Sequence, residues 1–184
     1  MKKKAAVLLA PGFEEVEAVT PIDFLRRAGV TVTVLGVGGR EITGSRGVTI
    51  RTDSTVEQAD AGFDAVVVPG GMPGAENVAV SEESLALIRR VAGAGGLVCA
   101  ICAAPAVVLA GTGLLSGKRA TCYPGFEERF SLGVTFSEER VVEDGNFITS
   151  RGPGTAAEFA VAIIRRLVGD ESARAVHEGT LQKR

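Results

Sequence analysis

Three short apolar runs, each ending on a turn of small residues, constrain this chain more than any other feature. Ala5-Ala6-Val7-Leu8-Leu9-Ala10 stops at Pro11-Gly12, and Asp64-Ala65-Val66-Val67-Val68-Pro69 runs into Gly70-Gly71. Leu97-Val98-Cys99-Ala100-Ile101 follows Gly95-Gly96 and closes on Cys102-Ala103-Ala104-Pro105. Such runs, bounded by turn residues, read as strands buried on both faces.

Helical patterns lie between them. Glu14–Ala28 is predicted helical, with Val16, Val19, Ile22, Phe24 and Leu25 as its apolar stripe, a kink at Pro21, and Gly29 at its stop. Val30–Leu35, alternating with threonine, is the strand after that crossover helix. Ser81 caps a helix to Ala92, Thr155–Val168 is a closing helix, and Asp170–Glu178 is a last one. Lys118–Cys122 reads as a short strand and Phe126–Phe130 as a helical turn. Arg140–Val142 and Phe147–Thr149 form a hairpin around Asp144-Gly145. Only residues 40–51, glycine-punctuated and β-prone, leave the alternation as a small β excursion. Alternating strands and helices call for an α/β fold, a mostly parallel sheet with helices on both faces.

With 184 residues, 46% of them hydrophobic, the chain suits one domain, residues 1–184, with a substantial core. A net charge of -2 argues against nucleic-acid binding by electrostatics. Lys2-Lys3-Lys4 before the first apolar run imitates a secretion signal, but the run is too short and leads directly into Glu14, Glu15 and Glu17. No apolar run approaches the ~18 residues of a membrane span, so a soluble, cytoplasmic protein is expected. Three cysteines in such a chain do not suggest a disulfide framework. Cys99 and Cys102 form a C-x-x-C, but three residues along a strand they leave on opposite faces.

Cys102 is the first candidate for chemistry. It lies where a strand gives way to an alanine-rich segment, and Pro105 suits a first helical turn. The amides and partial positive charge of a helix start favour a thiolate, and small Ala103 and Ala104 leave those amides open to an oxyanion. A buried structural thiol fits this stretch equally. Strand ends of such sheets gather on one rim, which brings Pro11-Gly12, Gly70-Gly71 and Cys102 together. Glu14 and Glu15 read as partners of the helix dipole, whereas Glu17 is spaced to point inward as a protonated acid/base beside the sulfur. Gly70 and Gly71 offer side-chain-free amides to complete an oxyanion hole with Ala103. Arg151, in Ser150-Arg151-Gly152-Pro153-Gly154-Thr155, is a candidate for an anionic substrate group. His177, the only histidine, reads as a solvated side chain, so no Cys-His dyad or metal cluster is supplied.

Four blocks together carry a resemblance. Pro11-Gly12-Phe13-Glu14-Glu15-Val16-Glu17, Val68-Pro69-Gly70-Gly71, Ala100-Ile101-Cys102-Ala103-Ala104-Pro105 and the 150–155 loop look like the signature of the ThiJ/PfpI superfamily. They match its branch that includes the Parkinsonism-linked protein DJ-one. The resemblance implies a flavodoxin-like three-layer sandwich, usually a homodimer, with Cys102 as nucleophile and Glu17 as its protonated partner. It also implies that the amides of Gly71 and Ala103 line the oxyanion site. It implies conversion of glyoxal or methylglyoxal to the hydroxy acid with no cofactor, and removal of early glycation adducts. The alternative is an oxidative-stress sensor or chaperone in which Cys102 is oxidised to sulfinate without turnover. In one place this chain departs from the pattern. Where many relatives have Thr-x-His-Pro it has Thr121-Cys122-Tyr123-Pro124, which makes Tyr123 a substrate-site residue and leaves proton transfer to Glu17. Ala103 replaces the histidine that follows the cysteine in the branch called proteases, so peptidase activity is not expected.

Overall fold

The structure is a computed structural model and describes residues 2–183. In chain order the elements are β1 (Lys4–Leu9), α1 (Glu15–Arg27), β2 (Thr31–Gly36), β3 (Glu41–Thr43), β4 (Thr49–Arg51), β5 (Ser54–Thr55) and β6 (Ala65–Val68). Next come α2 (Gly74–Ala79), α3 (Glu82–Gly93), β7 (Leu97–Ile101), β8 (Arg119–Ala120), β9 (Thr135–Phe136), β10 (Val141–Asp144), β11 (Phe147–Ser150), α4 (Ala156–Leu167) and α5 (Asp170–Gly179). The main sheet has seven strands in the order β10-β11-β7-β6-β1-β2-β5. Only β10 runs antiparallel in it.

The central strands β1, β6 and β7 are buried nearly throughout, which is why each is a continuous apolar run. The chain steps from β1 outward to β2, and from β6 outward the other way to β7. Right-handed crossovers in opposite directions put their helices on opposite faces. Accordingly α1, α4 and α5 pack together on one side, and α2 and α3 on the other. The result is the expected flavodoxin-like α/β architecture, and the strand order reverses between β1 and β6, where such sheets open a crevice at their carboxyl ends.

The excursion over 40–51 is an antiparallel hairpin, β3 with β4, separate from the main sheet. Three expectations need correction. The stripe assigned to α1 was drawn too wide: Ala18, Pro21, Ile22, Phe24 and Leu25 are buried, but Val16 and Val19 are 49% and 46% exposed. The hairpin turn is Gly145-Asn146 rather than Asp144-Gly145, because Asp144 pairs with Phe147. Finally, the segment after Cys102 is not an α-helix. Pro105–Leu109 is wound as a π-helix, followed by a 3-10 turn over Ala110–Thr112.

Candidate active site

Three loops meet beyond the crevice. The first leaves β1, turns at Pro11-Gly12 and enters α1, where Glu14 caps the helix by accepting the Glu17 N–H on its carboxylate (2.8 Å). That cap fixes the first turn and directs Glu17 inward, with 0% of its surface exposed. The second leaves β6 as Gly70-Gly71, and the Gly70 N–H donates to Glu17 Oε2 (2.9 Å). A β-carbon on Gly70 would lie 2.6 Å from Cys102 Cβ and 2.8 Å from Glu17 Oε2, so only glycine lets the three loops close. Gly71 has φ +86, and a side chain there would strike the Glu14 amide at 2.4 Å.

Cys102 opens the third loop, directly after β7. It has φ +64, a left-handed conformation that L-residues with side chains rarely adopt and that costs on the order of 1–3 kcal/mol. Two main-chain bonds impose it. The Cys102 N–H donates to the Ser150 carbonyl (2.9 Å), extending the pairing of β7 with β11, and the Cys102 carbonyl accepts from Tyr123 N–H (2.8 Å). The sulfur is thereby turned toward Glu17 and the amides of Gly71 and Ala103, which act on its acidity.

Electrostatics divide the pair. Burial is the main cause that pushes Glu17 up to about 8, with the Glu14 charge adding, while the Cys102 and Gly70 hydrogen bonds pull it down only in part. The carboxyl therefore holds its proton at neutral pH. Burial also pushes the Cys102 thiol up, as does an ionised Glu17, while the Gly71 and Ala103 amides pull it down. Because the groups are coupled, the first proton leaves the pair as a unit. Two amides aimed at the sulfur, and a carboxyl able to donate, favour the resulting charge on sulfur. Cys99 and Cys122 are pushed up chiefly by burial and have no such amides.

A strained cysteine at a strand end, with amides and a protonated acid beside it, suits addition to a carbonyl carbon. A model of the DJ-1/PfpI family matches residues 3–166. The chain belongs to that family. Protein dj-1beta of Drosophila melanogaster is 47% identical over 186 residues, covering 98% of each chain. Its crystal structure superposes with a TM-score of 0.96 at 44% identity, covering 100% of both chains. A deglycase of Pyrococcus abyssi is 34% identical over 153 residues, 82% of this chain and 91% of that one.

In this DJ-1/PfpI member the residues singled out from sequence fall into two groups. Cys102, Glu17, Gly70, Gly71 and Ala103 meet at the crevice, but the Gly70 N–H is taken by Glu17 and serves the carboxyl rather than an oxyanion. Tyr123 borders them through its bond to Cys102. Arg151 stands apart, its guanidinium 5.9 Å over the Phe136 ring and close enough to Cys122 to lower that thiol. Its Nη1 is buried without a hydrogen-bond partner.

Sequence reasoning missed the support beneath Cys102. Thr155 Oγ1 accepts from Gly152 N–H (3.1 Å) and donates to the Gly152 carbonyl (2.8 Å), and it lies 2.6 Å from the Ser150 hydroxyl. These bonds fix the loop whose Ser150 carbonyl holds the nucleophile's amide. The Ser and Thr flanking Gly-Pro-Gly were the available signal. Glu15 also differs from its dipole-partner reading, since its carboxylate accepts from Arg46 N–H (2.6 Å) and ties the β3–β4 turn to α1. Among the described residues no helix is long and apolar enough to cross a membrane.

Proposed function

We propose that this protein is a cofactor-independent cysteine enzyme that converts glyoxal and methylglyoxal to the corresponding hydroxy acids and acts on early glycation adducts. The observation that carries the reading is the protonated, fully buried Glu17 beside the strained Cys102. The deglycase among its relatives supports it.

In this mechanism the Cys102 thiolate adds to the aldehyde carbon, and the developing oxyanion lies between the Gly71 and Ala103 N–H groups. Glu17 gives its proton to that oxygen, leaving a hemithioacetal and a carboxylate. The carboxylate then removes the hydrogen from the same carbon and returns it to the neighbouring one, while the hydroxyl proton passes to the neighbouring carbonyl oxygen, producing the thioester of the hydroxy acid. Water hydrolyses the thioester, which frees the hydroxy acid and the thiol. The sum is dicarbonyl plus water to hydroxy acid, with no net oxidation and no cofactor. Cys102→Ser is expected to abolish conversion of methylglyoxal to lactate, measured by product chromatography. Turnover at the parent rate would refute the mechanism.

The same donors also suit a sulfinate, since the two amides and the Glu17 proton face the sulfur that peroxide would oxidise. Intact mass after graded peroxide, read beside the aldehyde assay, separates the readings: selective gain of two oxygens without turnover favours a sensor.

For assembly, the exposed Val16 and Val19 of α1 and Val48 of the hairpin support a homodimer through this face. Glu15, bonded to Arg46 and Val48 N–H, holds those two elements together.

A further inference from the structure

The aromatic residues of this chain divide sharply. Phe13, Phe24, Phe63, Phe147 and Phe159 are buried in the core. The other four, Tyr123, Phe126, Phe130 and Phe136, fall within 123–136, and none is fully buried. Tyr123 is the one tied to the nucleophile, through its N–H on the Cys102 carbonyl. Its ring lies on Gly152: a β-carbon there would be 3.1 Å from Tyr123 Cδ2 and 3.9 Å from Glu17 Oε1. Ring and carboxyl thus border the same spot, and Glu17 Oε1 is buried there with no hydrogen-bond partner. Phe126 meets the ring edge-on, centroids 6.4 Å apart and planes at 76°, which backs it in one orientation. Even so, Tyr123 is 45% exposed, leaving apolar ring surface open.

Gly70 lies against Cys102 Cβ, and Glu17 and the amides of Gly71 and Ala103 act on its sulfur. On the Gly152 side, where the Tyr123 ring and Glu17 Oε1 border the same spot, a substituent on a carbon bonded to Cys102 would pass over Tyr123. We infer that Tyr123 is the specificity-determining wall of the Cys102 site and that it selects 2-oxoaldehydes carrying a flat aromatic substituent, phenylglyoxal being the simplest. This deepens the glyoxalase reading and rests on it for the substrate. The methyl group of methylglyoxal is too small to cover the ring, whereas a phenyl group stacks on it. The chemistry is unchanged: phenylglyoxal and water give mandelate through the same thioester, with no added oxidant or reductant.

The test compares the kcat/KM ratio of phenylglyoxal to methylglyoxal in the parent, Tyr123→Phe, Tyr123→Leu and Tyr123→Gln. Tyr123→Phe is expected to keep the ratio within about twofold, and the non-aromatic variants to lower it about fivefold, the scale of an aromatic pair. Measuring both Leu and Gln variants guards against a folding defect in one. A second readout needs no turnover: the rate of Cys102 alkylation by N-benzyl iodoacetamide relative to iodoacetamide, followed by intact mass. That ratio is expected to fall likewise in both non-aromatic variants. If they leave it within about twofold of the parent, the wall is overturned whatever the aldehyde assay shows. If no protein converts either aldehyde while the alkylation ratio falls, the glyoxalase reading fails and the aromatic wall stands.

Discussion

Glu15 and Glu17 leave the same turn of α1 with little exposed surface, and their acidities are displaced in opposite directions. Burial alone pushes Glu15 up, but N–H groups of Arg46 and Val48, its own amide and the Ser45 hydroxyl more than offset this and hold it below the ordinary value. Glu17 has one main-chain donor, Gly70, and an Oε1 with no partner, and it rises to about 8. The difference teaches that depth of burial and the donors supplied together decide whether an acid in the first turn is a charged strut or a neutral proton carrier. In this chain the strut ties a hairpin to a helix, and the carrier faces a thiol.

The largest expected effect tests that division of labour. Glu17→Gln is expected to lower kcat/KM for methylglyoxal by about 10²–10⁴, the usual range for a lost acid/base, and Glu15→Gln by less than about tenfold. Equal losses would break the comparison.

Stability against pH sharpens it, because the two acids act with opposite sign. Glu17 titrates near its ordinary 4.5 when unfolded and about 8 when folded, so the folded state binds more protons between those values. The parent should lose stability across that window, and Glu17→Gln should gain on it by about 3–5 kcal/mol in urea unfolding at pH 8.5 relative to pH 4.5. Glu15 is lowered, so its stabilisation is complete above 4.5 and fades as pH falls through the folded value. The parent's lead over Glu15→Gln should therefore shrink only in acid.

Two glycines give the smallest effects. Gly70→Ala puts a β-carbon 2.6 Å from Cys102 Cβ, inside rigid surroundings, and is expected to cost about 1–3 kcal/mol. Gly152→Ala meets Tyr123 Cδ2 at 3.1 Å, where a half-exposed ring can yield, and is expected to cost less than about 1 kcal/mol. Thermal unfolding of both variants ranks them.

Much of this was legible in the chain. β1, β6 and β7 announce themselves because strands covered on both faces are uniformly apolar, and the glycine turns mark where they end. Spacing from the helix start made Glu17 a candidate, and the family resemblance gave it the role of protonated partner. α2 was not legible: six residues opening on Gly74 with no side-chain cap are too few to show a period. The π-helix over Pro105–Leu109 was read as α-helix, since an apolar segment behind a proline looks the same for either winding. Val16 and Val19 were credited to the core because periodicity marks apolar positions without saying which of them the sheet covers. The roles of Gly70 and Glu15 depended on partners far along the chain, Glu17 and the Ser45–Val48 turn, which no local pattern encodes.

The central claim is that Glu17 is a neutral acid at physiological pH. Infrared difference spectra between the parent and Glu17→Gln, recorded from pH 4 to 10, read it directly through the carbonyl stretch of a protonated carboxyl. The account predicts a band that is present at pH 7 and persists to at least about pH 8. A band that is gone by pH 6, titrating like an ordinary glutamate near 4.5, would contradict it.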